Sequence, residues 1–325
     1  FIFNAFNANL YLFVTGLAMA WQQLHFVCDK NETAHCEALL LDHGAMSIVL
    51  EDAADEPIFE PPLGAEPLWT TTVITAYFDT HTNDDLAHLD FEALASTIAS
   101  QVDAQRFWLT RLDDQDWTQA WLSHYKPIQC NDNLWIVPKW LDSPNPDATN
   151  ILIDPGLAFG TGYHATTRLC LDWLSKQDLK DKIVLDYGCG SGILGIAALL
   201  LGAKQVLAVD IDPQALLATK QNAKHNQVDS RLQTFLPDEW QAYYDDSQPV
   251  IDTISANILA KPLVALAPTF ATILPSQGSI VLAGLIEAQI DEVAQAYSEY
   301  FTMHPPQCFD NDNDRHWYRL SGVRN

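Results

Sequence analysis

The sequence predicts an α/β chain: a doubly wound, mostly parallel sheet in the C-terminal half, preceded by a smaller α+β unit. Three observations carry this reading. From residue 151 onward, apolar runs of strand length alternate with helix-like segments. One of these strands, starting at Ile183, runs directly into Gly188-Cys-Gly190-Ser-Gly192-Ile-Leu-Gly195 and then into an apolar helix-like run ending at Leu201. The next strand, residues 206–210, ends in an acid, Asp210, followed by Ile211, Asp212 and Pro213.

The N-terminal elements come first. Strand-like pieces fall at residues 22–28, 46–51, 70–78 and 107–112, with helix-like pieces at 31–43 and 90–102. The order β-α-β-β-α-β is that of a ferredoxin-like fold. Residues 52–67, rich in Pro, Glu and Asp, form an exposed acidic loop in this reading. A short Trp-bearing helix is expected at 116–125 and a hairpin at 127–140, turning at Asn131-Asp132-Asn133. Residues 141–150 are the linker, so the expected domains are 19–113, a connecting 114–150 and 151–325.

In the C-terminal half, strands follow at 206–210, 231–235, 250–256 and 279–283. Helices at 213–226, 261–274 and 289–300 separate most of them, the first opening on Pro213, whose missing N–H costs nothing there. The last two strands, 301–308 and 317–322, are joined through residues 310–314 and should pair antiparallel. Such a sheet binds its ligand at the carboxyl ends of the strands.

Composition bounds the function. A chain of 325 residues is long enough for two domains with sizeable cores. Its 42 acids against 17 bases give a net charge of −25, which disfavours direct nucleic-acid binding and suits a basic protein partner or a solvated acidic surface. Six cysteines without a C-x-x-C pair or zinc-like spacing point to a reduced, cytoplasmic compartment, and no metal site is expected. Residues 1–20 are apolar and end in Ala18-Met19-Ala20, like a cleavable leader, but carry no basic start. Met19 is therefore expected to be the true start and residues 1–18 an upstream extension, with export as the alternative. No other stretch approaches the length of a membrane span.

The glycines admit two registers. From Gly190 they read G-x-G-x-x-G (Gly190, Gly192, Gly195), a dinucleotide fingerprint. From Gly188 they read D-x-G-x-G-x-G, led by Asp186. An acid there would repel a pyrophosphate but could face the ammonium or sulfonium of a zwitterionic methyl donor. The second register resembles the S-adenosylmethionine-dependent methyltransferases, with Asp210 placed to accept hydrogen bonds from ribose hydroxyls.

Three further segments stand out. Asp154–Thr167 holds Gly156, Gly160 and Gly162, then His164, with Thr166 or Thr167 as the expected cap of a helix over 168–176. Such a loop can close over a ligand, or can be merely structural. Asn257, in Ala256-Asn257-Ile258-Leu259-Ala260, sits at the carboxyl end of a sheet strand, where a carboxamide can both donate and accept, the alternative being a turn or helix-cap asparagine ahead of Lys261-Pro262. Trp135 and Trp140 could form a substrate platform, but are expected to pack between the domains.

In this order and spacing, the segments 154–167, 186–192, 210–213 and 257–260 resemble the bacterial ribosomal protein L11 methyltransferases, over nearly the whole chain from Trp21. The resemblance implies a Rossmann-like class I methyltransferase sheet and an N-terminal domain that docks the substrate. It implies S-adenosyl-L-methionine as cofactor and ribosomal protein L11, methylated on lysine side chains and the N-terminal amine, as partner. It also implies donor-binding roles for Thr167, Gly188, Asp210 and Asn257, with Gly190 in the same loop. Tyr163 and Ala165 depart from the small hydroxylic residue and the proline expected in the family's loop, which puts its stiffness in question. A monomer is expected. The rival readings are a methyltransferase of another protein, RNA or small-molecule acceptor, an NAD-dependent oxidoreductase using the other register, and a non-catalytic donor-binding regulator.

The implied reaction is in-line attack of a neutral amine on an activated methyl group, so positioning supplies most of the catalysis. Holding a lysine neutral near neutral pH costs about 4 kcal/mol, which desolvation and a nearby sulfonium both reduce. Asn257 is the expected catalytic residue, orienting the amine, and proton loss to water before attack is the expected order.

Overall fold

The computed structural model describes residues 21–54, 56, 67–80, 86, 88–112, 125–156, 158–309 and 316–325. The expected start at Met19, the extension 1–18, most of the acidic loop 52–67, nearly all of the helix at 116–125 and the turn 310–314 lie outside these residues. The chain divides into two compact units, residues 1–122 and 123–325.

The first unit contains β1 (Trp21–Asp29), α1 (Thr33–Asp42), β2 (Ser47–Asp52), β3 (Thr71–Asp79), α2 (Phe91–Gln101) and β4 (Arg106–Leu112). Its sheet runs β2-β3-β1-β4 with every pairing antiparallel, the ferredoxin-like arrangement. Strand alternation explains which face is covered. Leu24, Phe26 and Cys28 of β1 pack with Ile74, Ala76 and Phe78 of β3 against Cys36 and Leu40 of α1 and Leu94, Ala95 and Ile98 of α2. Asp90 caps α2, accepting from the Ala93 N–H at 3.0 Å.

The second unit opens with a small sheet of β5 (Ile128–Asn131), β6 (Leu134–Pro138) and β7 (Thr149–Ile153). The hairpin is therefore bound to the second unit: Leu134 and Ile136 of β6 and Ile151 and Ile153 of β7 join its core. Trp135 lies on β6, and Trp140 meets the Tyr125 ring edge-on at 6.1 Å, both within this unit.

The main elements follow in order: α3 (Ala165–Ser175), β8 (Ile183–Tyr187), α4 (Ile193–Leu200), β9 (Gln205–Val209), α5 (Pro213–His225), β10 (Leu232–Phe235), α6 (Pro237–Ser247), β11 (Thr253–Asn257), α7 (Ala260–Ile273), β12 (Ser279–Ile286), α8 (Ile290–Ser298), β13 (Phe301–Met303), β14 (Gln307–Phe309) and β15 (Trp317–Arg324). The sheet order is β10-β9-β8-β11-β12-β15-β13, with β14 also on β15. The first five strands are parallel and β15 is antiparallel to its neighbours, so the fold is a Rossmann-like α/β sheet.

Alternation along the strands supplies two cores. Val184, Val206, Ala208, Val281 and Ala283 face α3 and α4, whereas Leu185, Leu207, Val209, Ile254, Ala256, Ile280 and Leu282 face α7 and α8. Because the sequence order of strands reverses between β8 and β11, a crevice opens at their carboxyl ends. Two expectations need revision here. The predicted strand 301–308 is split into β13 and β14, since Pro305 and Pro306 lack the N–H that a ladder requires. Helix α6 was not expected at all. Its aromatic residues Trp240, Tyr243 and Tyr244 stand among acids and glutamines, and only Trp240 is fully buried.

Candidate active site at the carboxyl ends of the strands

Four segments meet at the crevice. The glycine loop leaves β8, Asp210 ends the run of β9, Asn257 is the last residue of β11, and Thr167 lies in the first turn of α3. The site residues expected from sequence are thus carried by adjacent strands β9, β8 and β11 and by the helix that follows the Asp154–Thr167 segment.

The glycine loop folds back onto β9. The Gly188 and Cys189 N–H groups both donate to the Val209 carbonyl, at 2.7 and 3.1 Å. The Gly190 N–H donates to Asp210 Oδ2 at 2.9 Å, and the Asp212 N–H to Asp210 Oδ1 at 3.0 Å. These bonds aim the half-exposed carboxylate and leave it lone pairs for ligand hydroxyls. Gly190 has φ of 54°, and a Cβ there would stand 2.6 Å from the Phe159 carbonyl oxygen. Only glycine lets this loop lie so close to the segment ahead of α3.

That segment is held at several points. The Ser191 N–H donates to the Phe159 carbonyl and the Ser191 hydroxyl to the Gly160 carbonyl, each at 2.7 Å. Lys139 pairs with Asp154 at 2.5 Å. The Tyr163 hydroxyl donates to the Lys126 carbonyl at 2.7 Å and accepts from the Lys126 N–H, while its ring meets Tyr125 edge-on at 5.3 Å. The departure at Tyr163 thus supplies an anchor of its own in place of a stiffer sequence.

The helix cap differs from expectation. His164, and neither Thr166 nor Thr167, is the N-cap of α3, its Nδ1 accepting from the Thr166 N–H at 3.4 Å and lying 2.7 Å from the Thr166 hydroxyl. Burial and the nearby Arg168 charge lower the His164 pKa, which keeps Nδ1 free to accept. Thr167 is left for another task. Its hydroxyl oxygen accepts from Asn257 Nδ2 at 3.4 Å, joining two motifs ninety residues apart.

Asp186 also departs from expectation. It is 1% exposed and cannot face a ligand. Its Oδ2 accepts from the Gly195 N–H at 2.9 Å and its Oδ1 from the Ser255 hydroxyl at 3.0 Å. Burial pushes its carboxyl up to about 6, against the Gly195 N–H and Ser255 hydroxyl that hold it down, and Asp210 adds to the rise. The acid therefore ties the glycine loop's helix α4 to β11, the strand that presents Asn257. Ser255 does not stand out in the sequence, because a small polar residue inside an apolar strand carries no ligand signature. Gly284 is a second omission. It has φ of 93° at the bulge in β12, and a Cβ there would stand 2.3 Å from the Ile258 carbonyl oxygen. The turn bearing Asn257 depends on that close approach.

The residues present fit an adenosine-bearing methyl donor. An aimed carboxylate, a glycine loop whose two side chains, Cys189 and Ser191, are buried, a carboxamide and a threonine hydroxyl come together at the carboxyl ends of the strands. Phe159, Ile211 and Leu259 are 74%, 82% and 54% exposed, apolar surface that an aromatic base could cover.

Comparison with known proteins agrees with this geometry. Residues 20–325 match the family model described as ribosomal protein L11 methyltransferase (PrmA). The ribosomal protein L11 methyltransferase of Psychrobacter arcticus is 58% identical over 306 residues, which span 94% of this chain and 99% of that protein. The protein of the same description from Acinetobacter baylyi is 47% identical over the same shares. A crystal structure of ribosomal protein L11 methylase from Lactobacillus delbrueckii subsp. bulgaricus is 35% identical with a TM-score of 0.54, covering 62% of this chain and all of that one.

Proposed function

We propose a substrate and a division of labour for this chain, which belongs to the ribosomal protein L11 methyltransferase family. It transfers methyl groups to lysine side chains and the N-terminal amine of ribosomal protein L11. The observation that carries the reading is the joining of the family's motifs at one crevice, with Asn257 bonded to Thr167 and Asp210 to the glycine loop.

When bound, S-adenosylmethionine supplies an electrophilic methyl group on a sulfonium. The chain's own residues do the rest. Asp210 accepts hydrogen bonds from the ribose hydroxyls, and Gly188 and Gly190 let the main chain lie close to the methionine end. Thr167 holds the donor's polar tail. Asn257 orients the incoming amine with its carboxamide oxygen, while its Nδ2 stays on Thr167. The amine loses its proton to water before attack, so catalysis rests on alignment and desolvation. The ferredoxin-like unit docks L11, and the strongly acidic chain speeds encounter with a basic protein.

Fragment mass spectra of L11 after incubation with the full chain and S-adenosylmethionine test the assignment. Methyl groups on lysine Nζ and the N-terminal nitrogen are expected; modification of other atoms contradicts it.

A further inference from the structure

Helix α5 begins three residues after Asp210, and one of its faces is buried and polar. Thr219 and Asn222 lie on that face, and the half-buried C-cap Asn226 continues their spacing beyond the helix end. The Thr219 hydroxyl donates to the Gly190 carbonyl at 3.0 Å. Asn226 embraces β7, accepting from the Leu152 N–H at 2.8 Å and donating to the Leu152 carbonyl at 2.7 Å. Asn222, 1% exposed, stands between them. Its Nδ2 donates to the Ser191 carbonyl at 2.9 Å, and its Oδ1 accepts from the Asp154 N–H at 2.9 Å.

We infer that Asn222 is a positioning residue for the methyl donor, setting the separation between the glycine loop and the Asp154–Thr167 loop from behind both. The inference rests on the site reading given above. One carboxamide serves a carbonyl on the first loop and an N–H on the second, so neither loop can shift without breaking a buried bond. A side chain that merely filled space would not need opposite polarities at its two ends. The same helix follows Asp210, so the ribose contact and the loop spacing are set by one rigid element.

The substitution that isolates this role is Asn222→Asp. An ionised carboxylate still accepts from the Asp154 N–H but confronts the Ser191 carbonyl with negative charge. A protonated one restores both bonds, because its O–H donates to that carbonyl. Burial raises a carboxyl pKa, bringing this exchange into the accessible pH range.

The experiment is calorimetric titration of the full chain with S-adenosylhomocysteine from pH 5.5 to 8, beside the parent and Asp210→Ala, with thermal melting of each. Affinity of Asn222→Asp should fall about tenfold at pH 8 and return toward the parent's at pH 5.5. Should that variant not fold, Asn222→Ser takes its place. One hydroxyl is too short to bridge both loops, so affinity again drops about tenfold, now at every pH. Affinity within twofold of the parent across the range, in a folded variant of either kind, overturns the inference even if melting is lowered. If Asp210→Ala loses affinity in that case, the site reading stands and only the role of Asn222 falls; if it does not, the site reading fails as well.

Discussion

Asn257, at the end of β11, donates from Nδ2 to the hydroxyl oxygen of Thr167 in the first turn of α3, at 3.4 Å. In this bond the carboxamide nitrogen faces Thr167. With the nitrogen engaged, the oxygen is the end available to an incoming amine, and an amine needs an acceptor to align its lone pair.

Replacing Asn257 by alanine should lower turnover on the order of 100-fold with little change in melting temperature, because the residue is half-exposed and lies outside both cores. Steady-state kinetics with a thermal melt decide this. Unchanged turnover removes Asn257 from the reaction.

Asp210→Ala should act on the donor instead. The carboxylate is held by the Gly190 and Asp212 N–H groups, so its loss frees the loop as well as removing the acceptor proposed for the ribose hydroxyls. Donor affinity should drop roughly 100-fold, about 2.8 kcal/mol, the worth of charged hydrogen bonding. Equal affinity for S-adenosylhomocysteine in variant and parent, measured by calorimetry, contradicts the role.

Asp186 carries a pH signature. Its carboxyl titrates at about 6 in the fold, above its ordinary value, so the protonated form is the stabilising one. That contribution is complete below about pH 4 and is lost as pH rises through about 6, a difference on the order of 3 kcal/mol. Asp186→Asn keeps an acceptor for the Gly195 N–H and can donate to the Ser255 hydroxyl without any charge. Its melting temperature should therefore climb relative to the parent between pH 4 and pH 7.5. A difference between the two that stays constant with pH rules out the titration of Asp186 in that range.

Tyr163→Phe tests the anchor of the loop ahead of α3. The ring contact with Tyr125 survives, but both bonds to the Lys126 main chain disappear. About 1 kcal/mol of loop stabilisation is lost, so the KM for S-adenosylmethionine should rise roughly fivefold with kcat almost unchanged. An unaltered KM means the loop is held by Asp154 and Ser191 without help from Tyr163.

Much of this site is legible in the sequence because its residues sit at strand ends, where composition changes abruptly. Glycines after an apolar run, and Asp210 and Asn257 at the ends of others, announce turns that a core does not need. The supports behind them are not legible. Asp186 reads as a ligand-facing acid because sequence does not show that Gly195 and Ser255 enclose it. Asn222 looks like any helix-surface residue until β7 and the glycine loop are folded against it. His164 displaces the threonines as cap because its ring reaches back to the Thr166 N–H, a tertiary choice among three capable residues. Helix α6 lacks a strong apolar stripe, and its one fully buried anchor, Trp240, packs edge-on against Phe235 of β10 at 5.9 Å, a tertiary contact rather than local propensity.

The central claim is methyl transfer to ribosomal protein L11, and intact-mass spectrometry tests it most directly. Unmethylated L11 is incubated with the full chain and S-adenosylmethionine, with Asn257→Ala in parallel. The account predicts stepwise methyl additions to L11 with the parent chain, slowed strongly by the substitution. An L11 mass that does not change, under conditions where the chain binds S-adenosylhomocysteine, would contradict the claim and direct the search to a different acceptor.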